Sequence, residues 1–437
     1  MFELNEQILA VGVLIVSYIL LFSEKVNRAV TVLLGASALI FIGILSQQEA
    51  IAAIDFNTLA LLVGMMVIVG ISEKSGMFQS LAIYSAKLVK ASPRMLLAML
   101  GIITAVLSAL LDNVTTVLLI VPVTFQMTRD SKVNPYPFLL MEIFASNIGG
   151  TATLIGDPPN ILIGSALGLS FMDFVKELAP VVVLCLFVLI VAFDLLFGRK
   201  LVATEDDKQA ILALNEKDMI SDKTLLRKSL FVLFLVLGGF ILAEYLHVHN
   251  GTFALFGAAL MLFLYTMGDE HQLRDQKVED AFSLVDWTTI FFFAGLFAIV
   301  FALEATGVLE ILGEKLIKLT QNSVQKAALS VMWISAVVST FIDNIPFVAT
   351  MIPTLKSIEV HMGGREEMMS VWWALSLGSC FGGNGSLIAA SANVIVAGLA
   401  SKENERIGFA GFLLYGLPVM IVSVLIATIY LYLMHFL

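Results

Sequence analysis

A chain of 437 residues with a mean hydropathy of +0.95, 59% hydrophobic and 14% charged, carries more apolar surface than a globular interior can bury. A soluble multidomain protein is excluded, because this composition needs lipid as its solvent. The net charge of −10 averages over loops, and no basic, aromatic-interleaved patch points to nucleic acid. The two cysteines, Cys185 and Cys380, lie in apolar segments without CxxC or Cys/His company, so neither a disulfide framework nor a soft-metal site is expected.

Apolar runs recur at the length of a helical span, about 20 residues. The first, near 8–23, follows an acidic start and has no small-residue cleavage site, so it reads as a retained span rather than a signal peptide. Runs near 29–46 and 57–72 follow. Residues 95–128 are too many for one ordinary span, carry Asp112-Asn113 near the middle and have Arg94, Arg129 and Lys132 at the ends. They read as a re-entrant hairpin over 94–128 with the Asp-Asn pair at its tip. The alternative is two full spans joined by a tight turn, although arms of roughly 15 to 17 residues are short for a crossing.

The next run, 137–168, contains Gly149-Gly150 and Gly156-Asp157-Pro158-Pro159, which cannot continue a regular helix. It is expected to unwind at mid-membrane. A span near 174–198 closes a first half, 1–198, and the polar stretch 199–228 reads as a linker. The second half, 229–437, brings spans near 229–246, 252–268 and 287–303 and a hairpin over 326–356 around Asp343-Asn344. A broken helix over 370–400 at Gly382-Gly383-Asn384-Gly385-Ser386 and a span near 408–435 complete it. The expected fold is an all-α polytopic membrane protein of about 10–11 transmembrane helices plus two re-entrant hairpins and two broken helices.

The halves are internal copies. A constant offset places Asp55 on Asp286, Gly64 on Gly295, Glu73 on Glu304, Gly76 on Gly307, Asp112-Asn113 on Asp343-Asn344 and Pro122 on Pro353. After a short slip, Ser146 to Asn160 aligns with Ser379 to Asn393. With the hairpins non-crossing, only Lys176, Lys315, Lys318, Lys326, Lys356 and Arg365 fall on the basic-poor face. The richer face, with the linker, is then cytoplasmic, and both termini lie on the other side. The first hairpin opens from the cytoplasm and the second from the opposite face, so the copies are upside down relative to each other. Inverted repeats of this kind are a signature of secondary transporters, although duplicated bundles also occur in channels and scaffolds.

An Asp inside an apolar run costs on the order of 3 kcal/mol, so it faces water, a partner or an ion. Asp112, Asn113, Thr115 and Thr116 at the first tip and Asp343 and Asn344 at the second supply hard oxygen donors suited to Na+; Asp112, Asn113, Asp343 and Asn344 are the expected Na+ ligands. Capping of the following half-helix is a second role open to both aspartates. Asn147, Gly149, Gly150, Thr151, Asp157 and Asn160 in the first break, with Gly382, Gly383, Asn384, Ser386 and Asn393 in the second, are expected to complete the ion and substrate site. No Lys, Arg or His occurs in the tips or breaks, so the site reads as acidic, favouring cations, protons or a neutral solute. Asp157 has no acidic counterpart, since Ala390 stands at its place, and it is a candidate for handling the coupling proton. Glu142 is a secondary candidate for the transport path, Glu73 and Glu304 read as helix-end residues, and Asp55 and Asp286 read as N-caps.

The strings LLDNVTTVLLIVPVT, SNIGGTATLIGDPPNILI, FIDNIPFVATMIPTL and WALSLGSCFGGNGSLIAASANVIVAG resemble the arsenite permease and pink-eyed dilution (P) protein branch of the ion transporter superfamily. D-type Na+/H+ antiporters and citrate-transporter-like proteins are relatives of that branch. The resemblance implies an elevator-type carrier, commonly a homodimer, in which hairpins and broken helices move together against a scaffold. Related Na+/dicarboxylate carriers carry Ser-Asn-Thr at these tips, where this chain has Asp-Asn. The expected function is therefore secondary active transport, with Na+/H+-coupled ion exchange leading and Na+ or H+ as coupling ions. Cation-coupled movement of an anion or oxyanion such as citrate or arsenite is the alternative, an anion channel is a third reading, and no enzymatic chemistry is expected. The bilayer, a small ion or solute and a second copy are the expected partners. The expected location is the plasma or inner membrane if the source is prokaryotic.

Overall fold

The computed structural model describes residues 2–23 and 25–437, and among them it is all-helical. The first half runs through α1 (Phe2–Ser23), α2 (Arg28–Ile42), α3 (Gln47–Ala52), α4 (Phe56–Glu73), α5 (Met77–Leu88), α6 (Pro93–Leu110), α7 (Asn113–Asp130), α8 (Tyr136–Gly150), α9 (Pro158–Leu167) and α10 (Phe171–Leu196). A short α11 (Glu205–Ala213) lies in the polar stretch between the halves. The second half follows as α12 (Lys223–Leu246), α13 (Asn250–Thr266), α14 (His271–Phe282), α15 (Trp287–Ala305), α16 (Val308–Thr320), α17 (Val324–Phe341), α18 (Asn344–Glu359), α19 (Arg365–Gly382), α20 (Ser391–Lys402) and α21 (Phe409–His435). Helix α12 starts inside the stretch read as linker, because Asp222 caps it by accepting from the Thr224 and Leu225 N–H groups.

Among the described residues, seven helices are long and apolar enough to cross a membrane: α4, α6, α10, α12, α15, α17 and α21. The order of lengths in α1–α10 recurs in α12–α21. Helices α4 and α15 have 18 and 19 residues, α5 and α16 have 12 and 13, and α10 and α21 have 26 and 27. The outermost of these expose large apolar side chains, among them Phe187 on α10, Phe234 on α12 and Leu414 on α21, as lipid-facing helices do. Helices α8 and α19 are their opposite, buried on every side from Pro137 to Gly150 and from Val371 to Gly382.

The hairpins are α6–α7 and α17–α18. Their arms have 18, 18, 18 and 16 residues, longer than the apolar runs suggest, because the helices continue through polar flanks such as Arg94 and Arg129. Pro93 opens α6 at its first turn, where a missing N–H costs nothing. Asp112 caps α7 by accepting from the Thr115 N–H, and Asp343 caps α18 by accepting from the Ile345 N–H. Asp55 and Asp286 cap α4 and α15 in the same way, as the sequence suggested.

The halves interlock rather than sit side by side. Helix α2 of the first half packs on α15 of the second, and α13 of the second packs on α4 of the first. Helix α7 meets α20, and α9 meets α18. Within each half the first hairpin arm lies against the helix that leads into the break, α6 on α8 and α17 on α19. Gly149 and Gly382 permit that approach. A Cβ on Gly149 would come within 2.3 Å of the Ala105 carbonyl oxygen, and one on Gly382 within 2.7 Å of that of Ala336.

Candidate functional site

Both long central runs break where the sequence says they must. Helix α8 ends at Gly149-Gly150, the chain crosses 151–157 without regular helix, and Pro158-Pro159 restart α9 in its first turn. Helix α19 ends at Gly382, and α20 resumes at Ser391. Each break is pinned by one asparagine amide. Asn160 Nδ2 donates to the carbonyls of Thr151 at 3.0 Å and Thr153 at 2.9 Å, and Asn393 Nδ2 donates to those of Gly383 at 2.8 Å and Ser386 at 2.9 Å. One hydroxyl then ties each break to its hairpin. Thr153 donates to the Ala109 carbonyl, and Ser386 donates to the Thr340 carbonyl.

The two breaks also hold each other. Asn147 Nδ2 of the first half donates to Asn393 Oδ1 at 3.0 Å and Asn384 Oδ1 at 3.1 Å, while the Cys380 thiol of the second half reaches Asn160 Oδ1 at 3.7 Å. Ser376 also donates to Asn160 Oδ1, and Thr151 donates to the Asn147 carbonyl. Asn147, Thr151, Asn160, Asn384, Ser386 and Asn393 are all fully buried. In this core Asn147 Oδ1, Asn384 Nδ2 and Thr116 Oγ1 have no hydrogen-bond partner among the described residues. Buried polar atoms of this kind are free to take a ligand.

A cavity of about 280 Å³ opens beside the breaks and takes its wall from both halves. Asp112, Asn113, Thr115, Asp157 and Asn344 line it, so it gathers five of the expected site residues from both tips and the first break. Asp343 does not open into it. That residue lines a neighbouring cavity of about 380 Å³ with Tyr18, Phe292 and Pro346. The tips therefore converge through Asn344, while the Asp343 carboxylate turns to the other side.

Asp157 occupies the N-cap position of α9 without capping it. Its carboxylate, 3% exposed, instead meets the Cys380 thiol and the amides of Asn113 and Asn344, one from each tip. With its nitrogen toward the Ser146 and Gly156 carbonyls, 3.0 Å from each, the Asn113 amide satisfies both. Gly150 makes room for this amide, since a Cβ there would meet Asn113 at 2.2 Å.

The cavity also contains what the sequence reading left out. Arg28, the first residue of α2, lines both cavities together with Ser391, so the site is not free of basic residues as the tips and breaks alone suggested. A lone arginine at the start of an apolar run reads as an interfacial charge. Helix α2 has only 15 residues, about 22 Å at 1.5 Å per residue, too short for a bilayer core of about 30 Å, and its first residue lies beside the second tip. Glu73, read as a helix-end residue, also lines the smaller cavity from the end of α4. Glu142 is fully buried away from both cavities. Thr124 donates to one of its oxygens, and the other has no partner among the described residues.

Comparisons with known proteins agree with this architecture. The chain is 40% identical over 434 residues to an uncharacterized transporter of Mycobacterium tuberculosis, covering 98% of this chain and 99% of that one. It is 33% identical over 511 residues to the P protein of Homo sapiens, covering 98% of this chain and 60% of the P protein. Among solved structures, the YdaH transporter of Alcanivorax borkumensis superposes with a TM-score of 0.59 at 13% identity over 91% of this chain and 89% of that one. MtrF of Neisseria gonorrhoeae, described as one of a class of antimetabolite efflux pumps, gives a TM-score of 0.59 at 12% identity over 92% and 85%. These two likenesses concern the fold alone. The family model described as citrate transporter matches residues 18–378, and the chain is thus a multi-pass membrane transporter of the citrate transporter family.

Proposed function

We propose that the chain is a secondary active transporter that exchanges Na+ and H+ across the membrane, with the cation held between the first tip and Asp157. The observation that carries this reading is the buried Asp157 carboxylate set between the Asn113 and Asn344 amides of the two tips, beside a cavity that Asp112 also lines. Such a cluster of oxygens suits a hard monovalent cation or a proton. Asn344 brings the second tip to the same ligand, and Asp343 supplies a further oxygen in the adjoining cavity. Upside-down halves would let the tips and breaks move together as an elevator against α2, α4, α13 and α15, within a homodimer.

A second reading, cation-coupled movement of a carboxylated anion such as citrate, is favoured by the guanidinium of Arg28 in the wall of both cavities and by the family's description. Liposomes carrying the purified protein under an imposed Na+ gradient, with internal pH as the readout, separate the two. A pH change that follows the Na+ gradient supports exchange. No pH response, together with Na+-driven uptake of citrate, would replace exchange with the second reading, and ohmic current without coupling would sink both.

A further inference from the structure

We propose that Arg28 is a resident counter-cation for Asp343, so that a coupling cation reaches that carboxylate only by displacing the guanidinium. The inference rests on the reading of Asp343 as a cation ligand and adds that the two tips are unequal.

One edge of the guanidinium is fixed by α15. Arg28 Nη2 donates to Thr289 Oγ1 at 2.6 Å and stands 3.5 Å from an Asp286 carboxylate oxygen, and the guanidinium carbon lies 5.6 Å from the centre of the Phe292 ring. The other edge points to the tip and the break. Nη1 donates to Ser391 Oγ at 3.0 Å and lies 3.8 Å from Asp343 Oδ2. A planar, permanently charged fork is suited to bridging two such groups of partners. The Arg28 and Asp343 side chains are 28% and 30% exposed, so solvent weakens their attraction without abolishing it.

The first tip has no such arrangement. Asp112 accepts from the N–H and hydroxyl of Thr115, and no cation among the described residues pairs with it. A cation at the first tip therefore meets an uncompensated carboxylate, whereas one at Asp343 competes with a charge already there. The α2–α15 pair that holds that charge in place packs on α18 through α15. A movement of α18 and α20 away from α2 lengthens the Arg28–Asp343 contact, and a cation bound at Asp343 offsets that loss.

The test uses the full chain purified in detergent, with Na+ titrated against choline at constant ionic strength and the midpoint read from thermal stabilisation. A background of Asp112→Asn with Asp157→Asn isolates the second tip. In that background Arg28→Gln is expected to lower the half-saturating Na+ concentration by about tenfold, allowing for partial screening of the pair. Arg28→Lys keeps a charge but loses the fork and is expected to fall between, and it serves if Arg28→Gln elutes as an aggregate. Addition of Asp343→Asn should erase the difference. An unchanged or weakened Na+ midpoint in Arg28→Gln overturns the inference and makes the arginine a structural tie. A Na+ response in the wild type that vanishes in the Asp112→Asn, Asp157→Asn background overturns the inference while leaving the first-tip reading intact. No Na+ response even in the wild type brings down both.

Discussion

The break between α8 and α9 and the break between α19 and α20 are tied by equivalent bonds, yet only one carries a carboxylate. Asn160 and Asn393 each hold two carbonyls of their own break, and Thr153 and Ser386 each reach back to a hairpin arm. Where Asp157 stands in the first break, Ala390 stands in the second, and both line the same cavity. The shared bonds are what unwound backbone requires in a dry interior, since every carbonyl left without a donor there costs free energy. The unshared carboxylate answers no such requirement, because it does not cap its helix. Scaffolding is therefore symmetric between the halves, and charge is not.

That division can be tested from the largest expected effect down. Asp157→Asn should lower Na+-coupled transport in liposomes by at least about 100-fold while the protein stays monodisperse, since a carboxylate about 4 Å from a cation contributes about 4 kcal/mol at an effective dielectric of 20. Retained transport would reduce Asp157 to a packing residue. Asn160→Ala should cost about 2–4 kcal/mol of stability, because it orphans two buried carbonyls, and Asn393→Ala about 1–2 kcal/mol, because the Gly383 carbonyl still accepts from Asn147 Nδ2 and the Ser386 carbonyl from the Ala389 N–H. Denaturation in detergent should give the larger loss for Asn160→Ala, and equal losses would show that the second donors in the later break contribute nothing. Gly149→Ala and Gly382→Ala should each cost about 1–3 kcal/mol by overpacking against a neighbouring backbone, read as lowered melting temperatures. Ser386→Ala should cost about 1 kcal/mol for one buried hydrogen bond, and Thr153→Val about 1–2 kcal/mol, because its hydroxyl also accepts from the Gly156 N–H, by the same measurement.

Much of the fold could be read from the chain because polar interruptions in apolar runs have few physical explanations. Gly149-Gly150 and Pro158-Pro159 left the first break little choice, and Asp112 and Asp343 marked the hairpin tips as surely as they cap the helices that follow. What the chain did not disclose depended on contacts between distant segments. Arg28 looks like any charge at a helix start until the shortness of α2 and its packing on α15 carry it to Asp343, more than 300 residues away. Ser391 and Thr289 gain their roles only from that arginine. Asp343 turns out of the cavity that Asn344 enters because its carboxylate faces the guanidinium, a preference no local pattern records.

The cross-half bonds also bear on how the chain is made. Asn147 finds its acceptors on Asn384 and Asn393, and α2 and α4 find their helical partners on α15 and α13. A ribosome delivers the first half well before any of these residues exist. During synthesis the early helices must wait in the bilayer with their polar faces unmatched, and the carrier closes only when its last quarter arrives. Truncation after α17 should therefore leave an inserted chain with α2 and α4 paired to α15 and α13 but its first break, 151–157, unmatched and sensitive to protease, rather than a smaller working carrier.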